Sequence, residues 1–152
     1  MEVKEESAGI GWIGHVLVAL QMLGMGLVSY KAITLPGQAP WMLVFTAAGI
    51  LLGFITLGYN RIGNFNIHPN PKKQGHLITS GPYRWIRHPM YVSVILFSLG
   101  LAGFVHAGWT GFVLASLAVI TKAFLEERML IQKHPAYAAY REETSMFIPY
   151  LF

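Results

Sequence analysis

The sequence contains no cysteine and no aspartate. Without cysteine there can be no disulfide, no zinc–thiolate site, no iron–sulfur ligation and no thiol catalysis. Charge is also scarce, at 12% of the residues, where soluble domains carry about 25%. Acidic residues are missing altogether between Glu6 and Glu126. What fills the chain instead is apolar: 54% hydrophobic residues and a mean hydropathy of +0.48. At 152 residues the length fits one domain. A soluble domain this apolar would be hard to keep in solution, which leaves an integral membrane protein.

A bilayer-spanning helix needs about 17–25 mostly apolar residues. Four stretches qualify, at residues 12–31, 41–59, 90–106 and 109–125. Pro36-Gly37-Gln38-Ala39-Pro40 is a turn that should join the first two as a hairpin, and His106-Ala107-Gly108 a tighter turn for the last two. A long polar linker, Asn60 to Pro89, separates the hairpins, and a polar tail follows Leu125. Pro135 is expected to start a last amphipathic helix in that tail. The fold class is therefore an all-α membrane protein: four transmembrane helices in two hairpins, a linker between them and a C-terminal amphipathic helix.

Four crossings put both termini and the linker on one side. That side carries Lys4, Arg61, Lys72, Lys73, Arg84, Arg87, Lys122, Arg128, Lys133 and Arg141; the other has only Lys31. Such a bias orients the charged side toward the cytoplasm. The net charge of +4 is then a topology signal, and no nucleic-acid motif surrounds the basic residues. The acidic opening MEVKEESA lacks a basic n-region, so the first apolar stretch is expected to be a retained helix.

Several patterns are set aside on physical grounds. Gly9-Ile10-Gly11-Trp12-Ile13-Gly14 matches a dinucleotide fingerprint literally, but no strand precedes it and a membrane span follows. His68, His76 and His88 are too widely spaced for a metal site, with no acidic residue nearby in sequence. Gly49 and Gly53 have the small-xxx-small spacing of close helix packing, within the bundle or between protomers. His15 and Gln21 are polar positions in the first span, with His15 near enough to the interface to be hydrated.

The chemistry is concentrated from His76 to Tyr91, which combines turn formers, two arginines, two histidines and three aromatics immediately before a span. Ser80-Gly81-Pro82 turns the chain sharply. Pro89 suits a first helical turn, where its missing N–H is no loss, so Arg87 and His88 fall at a helix N-terminus, whose free N–H groups attract anions. Lys122, Glu126, Glu127 and Arg128 form a second polar cluster at the end of the fourth span. If the last two spans are antiparallel, that cluster returns to the level of Arg87, His88 and Tyr91.

The run H-L-I-T-x-G-P-Y-R-x-x-R-H-P-x-Y, a span, then E-E and a tail ending in F-I-P resembles the isoprenylcysteine carboxyl methyltransferase and phospholipid methyltransferase superfamily, over Asn64 to Phe152. These are integral membrane enzymes that use S-adenosylmethionine. The resemblance implies that His76, Leu77, Ile78 and the Gly81-Pro82-Tyr83 turn cradle the cofactor, making the linker a cofactor-binding one. It implies that Arg87, His88, Pro89 and Tyr91 close over the cofactor and that Glu126 and Glu127 complete the pocket. Arg87, Glu127 and Arg128 are the catalytic candidates, either arginine being able to orient an anionic acceptor. A weak echo of the R-H-P-x-Y run, Lys133-His134-Pro135-Ala136-Tyr137, reads as turn chemistry, though Tyr137 and Tyr140 could pack over a cofactor.

Methyl transfer to a carboxylate needs no base, only alignment and an arginine to hold the acceptor. That matches a site rich in arginine, with a lipophilic small-molecule or lipid-anchored acceptor entering from the bilayer. Two rivals differ in class: an NADPH-dependent reductase of the related sterol reductase architecture, for which the short linker leaves little room, and a non-catalytic membrane subunit, which would be expected to lose the polar motif residues.

Overall fold

The computed structural model describes residues 2–60 and 77–151. Its elements run in chain order α1 (Glu2–Thr34), a 3-10 turn (Pro40–Met42), α2 (Leu43–Tyr59), a 3-10 turn (Gly81–Arg84), α3 (Pro89–Val105), α4 (Trp109–Lys133) and α5 (Tyr137–Glu143). No strand occurs among the described residues. Three stretches are long and apolar enough to cross a membrane: Gly11–Thr34, Pro40–Tyr59 and Trp109–Gln132. Pro89–Val105 is a shorter apolar helix of 17 residues.

The bundle is built as bilayer-facing bundles are, with small residues inside and large ones outside. Ala102, Ala115, Ala118, Val119 and Ala123 are buried, whereas Phe54 is 71% and Leu117 59% exposed. The last two spans pair as expected, but the first two do not. The Pro36–Pro40 turn reverses the chain, yet α1 and α2 hardly touch. α1 packs along α4 and α2 along α3, with α3 against α4 at the centre. Glycine explains the choice. A Cβ on Gly24 would stand 2.6 Å from the Ala115 backbone nitrogen, and one on Gly49 2.5 Å from that of Phe97. Only bare backbone permits these approaches, so Gly49 serves packing within the bundle.

Two boundaries also move. α4 continues to Lys133, eight residues past the expected end at Leu125, because Glu126, Glu127, Arg128 and Gln132 are good helix formers and Leu130 and Ile131 extend an apolar edge. The second polar cluster therefore lies within a helix instead of beyond one. The last helix starts at Tyr137, two residues after Pro135, and buries Tyr137 and Tyr140.

At one end of the bundle a clasp holds the turns together. Lys31 Nζ donates to the Ala107 carbonyl at 2.6 Å. The Gln38 and Ala39 N–H groups share the Phe104 carbonyl, and the His106 ring lies 2.8 Å from Gln38 Oε1. At the other end lie the termini of α2 and α3, the polar part of α4, and α5.

Candidate functional site

The site is built where α3 begins. Pro89 occupies its first turn, with His88 as the preceding cap residue. Just upstream, Gly81 adopts φ +62° with the Tyr59 ring against its α-carbon; a Cβ there would be 2.6 Å from that ring. Only glycine takes this backbone conformation without strain, so Gly81 aims Pro82 and Tyr83 across the end of α2.

The tail crosses this corner and is fastened to it by main chain. Arg87 and His88 donate their N–H groups to the carbonyls of Ser145 and Met146 at 2.8 and 3.2 Å, and the Ser145 N–H donates to Trp85. The Arg87 side chain completes the fastening. Its Nε donates to Glu127 Oε1 at 2.5 Å, and its Nη1 donates to the carbonyls of Arg141 and Thr144. Arg87 and Glu127 are each 6% exposed at the side chain. A buried pair of this kind is held by several charge-assisted bonds that offset its desolvation. Arg141, half exposed, approaches the second Glu127 oxygen at 3.5 Å.

Glu126 occupies the neighbouring face of α4. It accepts the Tyr91 hydroxyl at 2.9 Å and lies 3.7 Å from His88 Nδ1. His88 Nε2 stands 3.3 Å from Glu127, so one imidazole lies between the two glutamates. The His88 and Tyr91 rings stack, 5.4 Å apart and within 8° of parallel, and Phe147 from the tail covers His88 at 6.0 Å.

Three tyrosines close the corner from outside the spanning helices. Tyr140 donates its hydroxyl to the Tyr83 carbonyl at 2.6 Å. The Tyr137 ring is 1% exposed, and its hydroxyl has no hydrogen-bond partner among the described residues. Burial raises all three phenols above the ordinary tyrosine range; the Glu126 charge adds to this at Tyr83 and the Glu127 charge at Tyr137. Tyr140 is pushed up to about 12, burial again being the main cause. All three are neutral hydrogen-bonding groups at physiological pH, and none is poised as a base.

The structure thus gathers Arg87, His88, Pro89, Tyr91, Glu126 and Glu127 into one corner, with Gly81, Pro82 and Tyr83 beside it. Leu77 and Ile78 lead into it, half-buried and without regular structure. His76 lies outside the described residues. Arg128 is exposed, turned away from the cluster, with no ion pair among the described residues. Helical geometry accounts for this, because it stands about 100° from Glu127 around the axis. The sequence-based assignments left Lys122 and Gln21 without a role. Their partnership joins residues 101 positions apart, and no local pattern announces it. Among the described residues no group of three His, Cys, Asp or Glu side chains is placed to hold an ion; His68 and His76 lie outside them.

Residues 41–137, which include both converging clusters, match the phospholipid methyltransferase family. The chain belongs to that family. Its similarity to curated proteins is distant. It is 31% identical over 113 residues to the cobalt-zinc-cadmium resistance protein CzcN of Cupriavidus metallidurans, covering 67% of this chain and 50% of that protein. It is 26% identical over 121 residues to the nickel-cobalt-cadmium resistance protein NccN of Alcaligenes xylosoxydans xylosoxydans, covering 76% and 57%. The chain therefore spans about half the length of the curated relatives it matches. No solved structure matches it significantly. Within the phospholipid methyltransferase family match, the R-H-P-x-Y and E-E elements are the ones that meet in space.

Proposed function

We propose that this chain transfers a methyl group from S-adenosylmethionine to a lipophilic acceptor at the membrane interface, and that the accepting atom is a carboxylate oxygen. The observation that carries the proposal is the meeting of Arg87, His88 and Tyr91 with Glu126 and Glu127 in a chain of the phospholipid methyltransferase family.

The residues present suit the cofactor. The two carboxylates would suit its cationic groups, the Tyr83 ring would offer a face to an adenine, and the unpartnered buried hydroxyl of Tyr137 is a hydrogen-bonding group that a ligand could satisfy. When bound, the cofactor supplies a sulfonium-activated methyl group; an ester forms at the acceptor oxygen while the carbon–sulfur bond breaks and its electron pair stays on sulfur.

The chain's own residues bind, orient and exclude water. Tyr91 and His88 fix the Glu126 carboxylate. The Arg87–Glu127 pair pins the tail over the corner, and Phe147 covers His88, so the reacting groups are kept dry and aligned. No residue needs to remove a proton, because a carboxylate has none to lose. The neutral tyrosines, none of them poised as a base, suit that chemistry better than they suit an amine or thiol acceptor. The Lys and Arg distribution supports a cytoplasmic site, supplied with water-soluble cofactor from one side and lipophilic acceptor from the bilayer. The relatives' names connect those two proteins with metal resistance, and a metal-resistance system is the setting in which to seek the acceptor.

The test is calorimetry on the full chain in detergent, followed by radiolabelled methyl transfer on membranes. Binding of S-adenosylmethionine or S-adenosylhomocysteine and a base-labile labelled product are expected. NADPH binding in their place would turn the assignment to a reductase, and binding of neither to a non-catalytic subunit.

A further inference from the structure

One buried cation at the edge of this corner makes no close ion pair with it among the described residues. Lys122 is 2% exposed and lies on α4 one helical turn before Glu126, about 6 Å further from the tail. Its Nζ donates to Gln21 Oε1 of α1 at 2.9 Å and stands 5.2 Å from the centroid of the Tyr91 ring. Every ion pair among the described residues joins Arg87, His88 or Arg141 to a glutamate, and none includes Lys122. Within contact distance this ammonium has a neutral amide and an aromatic face, with the Glu126 charge acting on it from one helical turn away, and among the described residues one of its three donors is taken by a hydrogen bond.

A membrane-embedded lysine with no close ion pair among the described residues is expensive, and a buried charge is often replaced by an apolar residue of like size with no loss of stability. Its retention beside the methyl-transfer corner calls for a use. Tyr91 connects the two places: its hydroxyl is held by Glu126 and its ring face by Lys122. A group bound on Lys122 would thus lie one ring's length from the Glu126 end of the site, on the side deeper in the bundle.

We propose that Lys122, steadied by Gln21, receives the carboxylate of the acceptor and so selects an anionic lipophilic substrate. The proposal rests on the methyl-transfer reading above and assigns the acceptor's polar end to residues outside the family motif. Lys122 acts in its protonated form. It holds one carboxylate oxygen by charge and hydrogen bond while the other faces the transferable methyl group.

The test is a binding comparison on the purified full chain in detergent, using hexadecanoic acid and hexadecanol as probes displacing a fluorescent fatty acid. Wild type should prefer the acid by about tenfold or more, the usual worth of a hydrogen bond to a charged group. Lys122→Met should lose that preference without a lower melting temperature, and Lys122→Arg should keep it. S-Adenosylhomocysteine should bind all three about equally. An acid preference that survives in Lys122→Met, or is absent in wild type, overturns the proposal. Should Lys122→Met fail to fold, Gln21→Leu decides: unchanged acid affinity overturns the proposal and weakened affinity upholds it. Failure of wild type to bind S-adenosylhomocysteine would sink the methyl-transfer reading separately, since the acid preference is read without cofactor.

Discussion

Arg87 spends two of its nitrogens inside the protein, on Glu127 and on two tail carbonyls. That use decides what its loss should do. Arg87→Ala leaves a carboxylate and two carbonyls without their donor, at a cost of about 3–5 kcal/mol, and should give a protein that unfolds at markedly lower temperature and no longer binds S-adenosylhomocysteine. Arg87→Lys should rescue little, because an ammonium cannot address the carboxylate and the carbonyls from a fixed fork. Thermal unfolding in detergent and calorimetry check both. Tyr137 should behave in the opposite way. Its hydroxyl is buried and unpartnered, so Tyr137→Phe should leave the melting temperature equal or higher while weakening cofactor affinity severalfold. Unchanged affinity would remove that hydroxyl from the binding site. At this scale the sequence was informative about identity but less so about role. The motif marked Arg87 and Glu127, yet their mutual pairing depends on where α4 passes α3. Arg128 was grouped with Glu127 by adjacency alone, and one helical step separates them.

Elements meet here through glycine and through the tail. A Cβ on Gly49 has only the backbone of α3 to meet, so Gly49→Val should force α2 off α3 and cost about 1–3 kcal/mol or more, as overpacking does; the loss of thermal stability measures it. Packing of the tail depends on neutral tyrosines. Tyr140 ionises near 12 in the fold against an ordinary value of 10.0, so its neutral form is the one the fold favours. Its contribution is fully present below pH 10 and is lost as the pH rises from there toward 12, and Tyr83 and Tyr137 shift the same way. Melting temperature should therefore be flat from pH 7 to 9 and fall above 10. A Tyr140→Phe variant should show less of that fall. α1 begins ten residues before its apolar run and α4 continues eight beyond its own, whereas α2 was legible in the apolar runs to within two residues and α3 to within one at each end. The partnership of α1 with α4 was not, because a short turn suggests that its two helices are neighbours, and the backbone contacts that decide otherwise are carried by glycines, which leave no hydrophobic signature.

For the molecule as a whole, the concentration of basic residues on one side makes a claim about orientation. The native chain has no cysteine, so single cysteines report position without background. Gln38→Cys should be labelled from outside intact cells by an impermeant maleimide, and Glu142→Cys only after the membrane is opened. The reverse pattern would invert the topology and move the site out of the cytoplasm. The pairing pattern reaches further. Because α1 and α2 rest on α4 and α3 and hardly on each other, the Pro36–Pro40 segment is a leash between two separately moored helices. Severing it should cost little beyond the effective concentration the leash provides. Residues 1–38 and 39–152, produced as two polypeptides in one cell, should find each other in the bilayer and reconstitute the bundle.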